Sequence, residues 1–98
     1  MTEVDNIVKV AECMSFQGKL YVDLLDDGGV AIEFNNEVET QELLIVVPPS
    51  CKPHYFSAVK SEFAYKLNGI IKTEEGLTNL VNWIRNGADH IMPEGLEF

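Results

Sequence analysis

Two cysteines and two histidines are the residues of this 98-residue chain whose types could support metal or thiol chemistry. Cys51 and His54 stand three residues apart, which is a metal-ligand spacing, and Cys13 and His90 could complete a Cys2His2 zinc set. Structural zinc sites usually contain two closely spaced pairs, whereas Cys13 and His90 have no second ligand near them in the sequence. We therefore predict that the chain binds no structural metal and uses no cofactor.

Cys51 and His54 also have the residue types of a thiol nucleophile and its base. A position just before a helix would lower the pKa of the cysteine. Such a dyad also needs a defined spatial geometry and a group that stabilises an oxyanion, and sequence spacing supplies neither. The chain contains no phosphate-binding loop, dinucleotide fingerprint or Gly-x-Ser-x-Gly elbow. The sequence therefore predicts a protein that is not an enzyme.

Neighbouring carboxylates could also bind a metal ion or act as general acids. Turn chemistry explains Asp26-Asp27-Gly28 better, and the favourable position of acids at the start of a helix explains Glu74-Glu75. The residue order of a calcium-binding loop is absent. These carboxylates consequently predict local structure or surface charge, and they do not predict a catalytic site.

The acidic residues are concentrated in the N-terminal half of the chain. The net charge is −9; residues 1–50 contain ten acidic and two basic residues, and residues 51–98 contain six and five. An acidic half disfavours nucleic acid and anionic membranes as direct partners and favours a basic protein partner. No apolar run approaches the ~18 residues that a membrane span requires, and the N-terminus is acidic where a signal peptide is basic and then apolar. With too few cysteines for a disulfide framework, we expect a cytoplasmic protein.

The secondary structure is predicted to be organised around the apolar run 43–47, which Pro48 and Pro49 follow. Three of these five residues are β-branched, and the run is too short for a useful helix. A continuous apolar run is typical of a strand buried on both faces, and proline lacks the N–H that would continue the ladder. We predict a central strand here.

Residues 19–34 have the strongest hairpin pattern in the chain. A two-residue loop would pair Asp23 with Ile32 and bring charge into the core. A three-residue loop over residues 26–28 pairs Leu24 with Val30, Val22 with Ile32 and Leu20 with Phe34, and it places Gly28 where a left-handed residue is favoured. We predict this register, with Val22 and Ile32 facing the core and Asp23 and Glu33 facing solvent.

Three other segments are assigned by helical periodicity. Residues 3–14 fit a helix, since a strand would direct Glu12 into the core. Residues 53–67 have apolar residues at helical spacing, and residues 74–86 have an apolar stripe, with Thr73 as N-cap and Gly87 after the end. The tail, residues 88–98, is expected to pack back onto the domain.

These elements predict one globular α+β domain over residues 1–98. A small antiparallel sheet, about residues 19–47, packs one face against two or three helices at about 3–14, 53–67 and 74–86. The other face remains exposed to solvent and acidic. Tyr21 beside these acids is typical of an interface anchor, and the predicted partner-binding residues are Tyr21, Asp23, Asp26, Asp27, Glu33, Glu37 and Glu39.

The function predicted from charge is that of a small, acidic, non-enzymatic binding protein. Carboxylates at sheet spacing imitate rows of phosphates, so we expect an inhibitor that occupies a basic site on a partner protein, of the phage nucleic-acid-mimic or immunity and antitoxin kind. The alternative is an accessory or regulatory subunit that assembles through apolar surface or a sheet edge. A thiol or metal enzyme built on Cys51 and His54 is the third and least favoured interpretation. The sequence leaves a homodimer open.

Overall fold

The computed structural model describes residues 2–13, 18–36, 40–50, 54–61 and 65–98. Helix α1 is Thr2–Cys13 and helix α2 is Glu74–Asn86. The strands are β1 (Lys19–Leu24), β2 (Val30–Asn36), β3 (Gln41–Val47), β4 (His54–Lys60), β5 (Tyr65–Ile71) and β6 (Leu96–Glu97). The six strands form one antiparallel sheet in the order β1-β2-β3-β4-β5-β6.

The β1–β2 hairpin has the predicted register. Val22 lies opposite Ile32 and Leu24 opposite Val30. The three-residue loop is closed by two backbone hydrogen bonds, in which Leu25 N donates to Gly29 O at 2.9 Å and Gly28 N donates to Leu25 O at 3.0 Å. Gly28 has φ +91°, the left-handed conformation that a residue with a side chain rarely adopts.

One face of the sheet, here called the inner face, carries the hydrophobic core. Alternate residues of β2, β3 and β4 point to this face, and α2 packs its buried stripe against it. Ile7 of α1 adds to the same core. Thr73 caps α2 by accepting a hydrogen bond from Gly76 N at 3.4 Å, and Gly87 ends it with φ +65°, both as predicted. The buried apolar residues of the sheet and α2 are Val30, Ile32, Phe34, Leu43, Ile45, Val47, Phe56, Ala58, Leu77, Leu80, Val81, Trp83 and Ile84.

The prediction of a small sheet covered by two or three helices is wrong, because the sheet has six strands. Residues 53–67, assigned to a helix, contain β4 and the start of β5. Phe56 and Ala58 also fit an alternating strand, and both are buried on the inner face. Pairing with β4 completes the hydrogen bonds of β3, so tertiary pairing outweighs the helical spacing.

Strand β3 lies within the sheet and ends at Val47, before the two prolines, as predicted. It is not buried on both faces. Leu43, Ile45 and Val47 are buried, whereas Glu42 and Leu44 on the other face are exposed. The continuous apolar run therefore reflects a strand that presents part of its apolar side-chain area to solvent.

Polar side chains of the sheet bind carbonyl groups in the last turn of α2 and in the two residues that follow it. Gln41 Nε2 donates to Trp83 O at 3.3 Å and to Ala88 O at 3.0 Å. Asn36 Nδ2 donates to Ile84 O at 2.7 Å. The buried amine of Lys60 in β4, Nζ, donates to Gly87 O at 3.1 Å and to Asp89 Oδ1 at 3.0 Å. Side chains from three strands therefore anchor this end of the helix. The positive charge complements the helix dipole.

The inner face is not covered over its whole width. Val22 in β1 points to the same side as its buried neighbour Ile32, yet its side chain is 48% exposed, and Leu24 is 84% exposed. The predicted direction of Val22 is right, and its predicted burial is wrong. The packed layer covers β2 to β4 and leaves β1 at its margin.

Candidate binding surface

The opposite side of the sheet, here called the outer face, is defined by the residues that alternate with the core positions. Among the described residues, both helices contribute to the core on the inner face, and neither adds buried core residues on the outer face. Lysines occur at its two margins, Lys19 on β1 and Lys66 on β5. The other outer-face positions of β1 to β5 are Tyr21, Asp23, Ala31, Glu33, Asn35, Glu42, Leu44, Val46, Tyr55, Ser57, Val59, Asn68 and Ile70.

Three of the predicted binding residues are brought together on this face. Tyr21 lies directly opposite Glu33, and Asp23 is the next outer-face residue of the same strand. Glu33 Oε1 accepts a hydrogen bond from Asn35 Nδ2 at 3.1 Å. This bond orients the Glu33 carboxylate along the surface of β2.

The other four predicted residues separate into two groups. Asp26 and Asp27 are exposed in the β1–β2 turn, beyond the end of the sheet. Asp27 Oδ1 accepts a hydrogen bond from Gly29 N at 2.9 Å, so it stabilises the turn. Glu37 and Glu39 lie outside the described residues.

Glu42 joins Asp23 and Glu33 in a diagonal row that sequence reasoning missed. Glu33 is two residues beyond Ala31, the partner of Asp23, and Glu42 is two residues before Leu44, the partner of Glu33. Diagonal neighbours in an antiparallel pair are roughly 7–8 Å apart. The sequence contained the signal, because Glu42 alternates with the buried positions of β3, but the predicted strand begins one residue later, at Leu43.

Apolar and aromatic side chains lie beside this acidic row. Tyr21 is 48% exposed, Leu44 is 37% exposed and Tyr55 is 46% exposed. Leu44 is opposite Glu33, and Val46 is opposite Tyr55. Sequence reasoning missed Leu44, because the central strand is predicted to be buried on both faces. It also missed Tyr55, because residues 53–67 are predicted to form a helix. The surface thus combines carboxylates with half-exposed apolar groups, as the cores and rims of protein interfaces do.

A shallow cavity of about 380 Å³ opens at the opposite end of the sheet from β1. Its lining includes Tyr55, Ile70 and the C-terminal Phe98. Beside it, Lys72 Nζ lies 2.8 Å from Glu97 Oε2. This hydrogen bond and the lysine charge lower the pKa of the Glu97 carboxyl, and the same contact raises the pKa of Lys72. The polar residues Asn68 and Glu97 also line the cavity.

The candidate thiol and metal residues are dispersed in the described part of the chain. Cys13 is an exposed free thiol at the end of α1, and the ring of His90 packs on Tyr65 at 5.5 Å. His54 begins β4, and its Nε2 is buried without a hydrogen-bond partner among the described residues; Cys51 lies outside them. No group of three potential ligands is found within the described ranges.

Neither helix in the described part of the chain has the length and apolar character that crossing a membrane requires. No protein-family model, curated protein or solved structure matches the chain.

Proposed function

We propose that this is a non-enzymatic binding protein whose outer face occupies a basic site on another protein. The observation that carries the proposal is the mixed surface on β1 to β4, where the carboxylates of Asp23, Glu33 and Glu42 lie beside the half-exposed Tyr21 and Leu44. An inhibitor that imitates nucleic acid, or one of the immunity and antitoxin kind, would use such a surface. A cytoplasmic location is part of the proposal.

The charges support a basic partner. The three carboxylates lie on three successive strands, and they form a row on one half of the face. The lysine on the other half, Lys66, is two strands away from Glu42. A row of negative charge accelerates encounter with a basic cleft and fixes its orientation.

The apolar groups support binding after the encounter. Charged residues at a protein surface contribute little affinity individually, because water and salt screen them. Large rigid side chains such as Tyr21 and Tyr55 bury more area, and aromatic residues are common energetic anchors of interfaces. The two kinds of group have separate tasks, since the acids affect association and the aromatics affect dissociation.

A second candidate function, an accessory subunit that assembles through apolar surface, is favoured by the exposure of Val22 and Leu24 on the inner side of β1. The two functions differ in their response to salt. Binding through the carboxylates weakens steeply as ionic strength rises, whereas apolar assembly does not.

The testing experiment is a pull-down from native host extract with three baits. The first is the wild-type protein, and the second combines Glu33→Lys with Glu42→Lys on the outer face. The third, a matched control, combines Glu12→Lys with Glu94→Lys, which are exposed residues outside the sheet. Each double substitution changes the net charge by the same amount.

We expect one protein to be retained by the wild-type and control baits and lost from the outer-face bait, at low salt. Equal loss from both variants would show that only net charge matters. Retention by all three baits at high salt would reject the outer face and support apolar assembly.

A further inference from the structure

Strand β1 is the edge of the sheet at which the exposed apolar side chains are concentrated. Among the described residues it pairs with β2 on one side and with no strand on the other. Eight large hydrophobic side chains in the described ranges are exposed, and four of them lie between residues 21 and 25. The strand contains no proline, and all three of its inner-face residues, Leu20, Val22 and Leu24, are apolar. It therefore lacks a proline and an inward-pointing charge, which are two of the devices that prevent an edge from pairing, and its two charged side chains lie on the outer face.

Within the described ranges, one edge of the β1 backbone presents hydrogen-bonding groups that no other strand binds, and they follow a defined pattern. Leu25 N donates to Gly29 O, so the N–H and C=O groups of Leu25 point towards β2. Directions alternate along an antiparallel strand. The N–H and C=O groups of Leu20, Val22 and Leu24 therefore point away from β2, where another strand could bind them.

From these observations we infer that β1 pairs antiparallel with β1 of a second copy of the chain, about a two-fold axis at Tyr21. In this register Leu20 faces Val22 of the second copy, and both residues supply outward backbone groups. On the outer face Tyr21 lies opposite its own copy, and Lys19 lies opposite Asp23 of the second copy. The exposed Leu24 lies opposite Gly18, which has no side chain to obstruct it.

Charge selects this register among those that the backbone permits. Centring the pair on Asp23 would place two aspartates opposite each other, which is destabilising. Centring it on Val22 would place Asp23 opposite Tyr21, without a basic partner. Only the axis at Tyr21 pairs opposite charges twice, because Lys19 and Asp23 are equally distant from it.

The same symmetry favours a second copy over a different protein. An interface about a two-fold axis requires a surface that is complementary to itself. This strand meets that requirement, because Lys19 lies on one side of Tyr21 and Asp23 lies at the same distance on the other side. The axis is perpendicular to the sheet, so the inner faces of the two copies join, and Val22 and Leu24 extend the core. Both outer faces then lie on one side of the dimer, so dimerisation would enlarge the proposed binding surface. The dimer itself does not depend on the proposed function.

The test exchanges the charges and measures mass by sedimentation at micromolar to millimolar protein. Wild type should form a dimer. In a dimer of Asp23→Lys, two lysines are opposed at each of the two symmetric positions. In a dimer of Lys19→Glu, a glutamate is opposed to Asp23 at each of them. Each variant alone should dimerise at least about tenfold more weakly. An equimolar mixture of the two should recover the dimer, because both opposed pairs are then of opposite charge.

A monomeric wild type at every concentration would overturn the inference, and so would a dimer that neither substitution weakens. Loss of the dimer without recovery in the mixture would reject this register. Hydrogen exchange of the wild type gives an independent reading. The amides of Leu20, Val22 and Leu24 should be protected only at concentrations where the dimer forms, and protection independent of concentration would count against it.

Discussion

Val22 and Ile32 are directly opposite each other on the same face of the same sheet, and their environments differ completely. Ile32 is 0% exposed beneath the packed layer, whereas Val22 is 48% exposed at the edge. Both residues belong to strands with the same alternation of apolar and polar side chains. Alternation therefore determines which way a side chain points, and the extent of the covering layer determines whether that side chain is buried.

The largest expected effect is at the covered position. Ile32→Ala should lower the free energy of unfolding by about 2–5 kcal/mol, because it removes buried methyl groups and leaves a cavity. Urea unfolding followed by circular dichroism measures the change. A loss below about 1 kcal/mol would mean that the centre of the inner face is no better packed than its edge.

A smaller effect is expected where the covered face carries a polar group. Gln41→Met removes the donor that binds Trp83 O and Ala88 O, so Ala88 O loses this donor and Trp83 O keeps only its backbone donors, Gly87 N and Ala88 N. The expected loss is about 1–3 kcal/mol in the free energy of unfolding. Hydrogen exchange should also show faster exchange of the Ala88 amide, which donates to Trp83 O. An unchanged exchange rate would indicate that Gln41 does not hold the helix end.

At the edge, Val22→Ala should cost less than about 1 kcal/mol in dilute protein, because half of the side chain is already in water. The cost should increase with protein concentration if β1 pairs with a second copy, since dimerisation stabilises the folded state. Urea unfolding at two protein concentrations makes the measurement. A large, concentration-independent cost would show that Val22 is buried in the monomer.

The smallest expected effect concerns the other end of the sheet, which the C-terminal strand β6 closes. The pKa of Glu97 is lowered by Lys72 in the folded protein, so the contact stabilises above the ordinary carboxyl pKa of 4.5 and is lost as the pH falls through the folded-state value. Both side chains are exposed, so the effect on stability is small. An NMR titration should place the Glu97 midpoint below 4.5, and Lys72→Met should raise it. No difference between the two proteins would exclude the ion pair.

The local features that sequence predicts correctly here are those set by neighbouring residues. The hairpin register follows from Gly28 and from the opposition of like side chains across β1 and β2. The boundaries of α2 follow from Thr73, which caps it, and Gly87, which adopts positive φ. Each depends on the chemistry of a few adjacent positions.

The features that sequence did not predict depend on distant pairing. Residues 53–67 have apolar spacing that fits a helix, and only the unpaired edge of β3 makes β4 the better solution. That error hid Tyr55 on the outer face. Gln41 likewise has no local signal, because its role depends on the carbonyls of α2, more than forty residues later in the chain.

Part of the candidate surface was nevertheless visible in the sequence. Tyr21, Asp23 and Glu33 share a face as a direct consequence of the hairpin register. Leu44 was missed because β3 is predicted to be covered on both sides, and Glu42 was missed because the predicted strand begins at Leu43. Whether a sheet carries one layer or two is decided by the whole chain, and alternation in one strand does not reveal it.

The proposed function requires that the outer face, and not the overall negative charge, binds a basic partner. With the captured partner immobilised, the measurement is the association rate of wild type, of the Glu33→Lys, Glu42→Lys variant and of the Glu12→Lys, Glu94→Lys control. We expect the outer-face variant to associate at least about tenfold more slowly at low salt, the control to change much less, and high salt to remove the difference. Equal rates for the two variants at low salt would contradict the proposal.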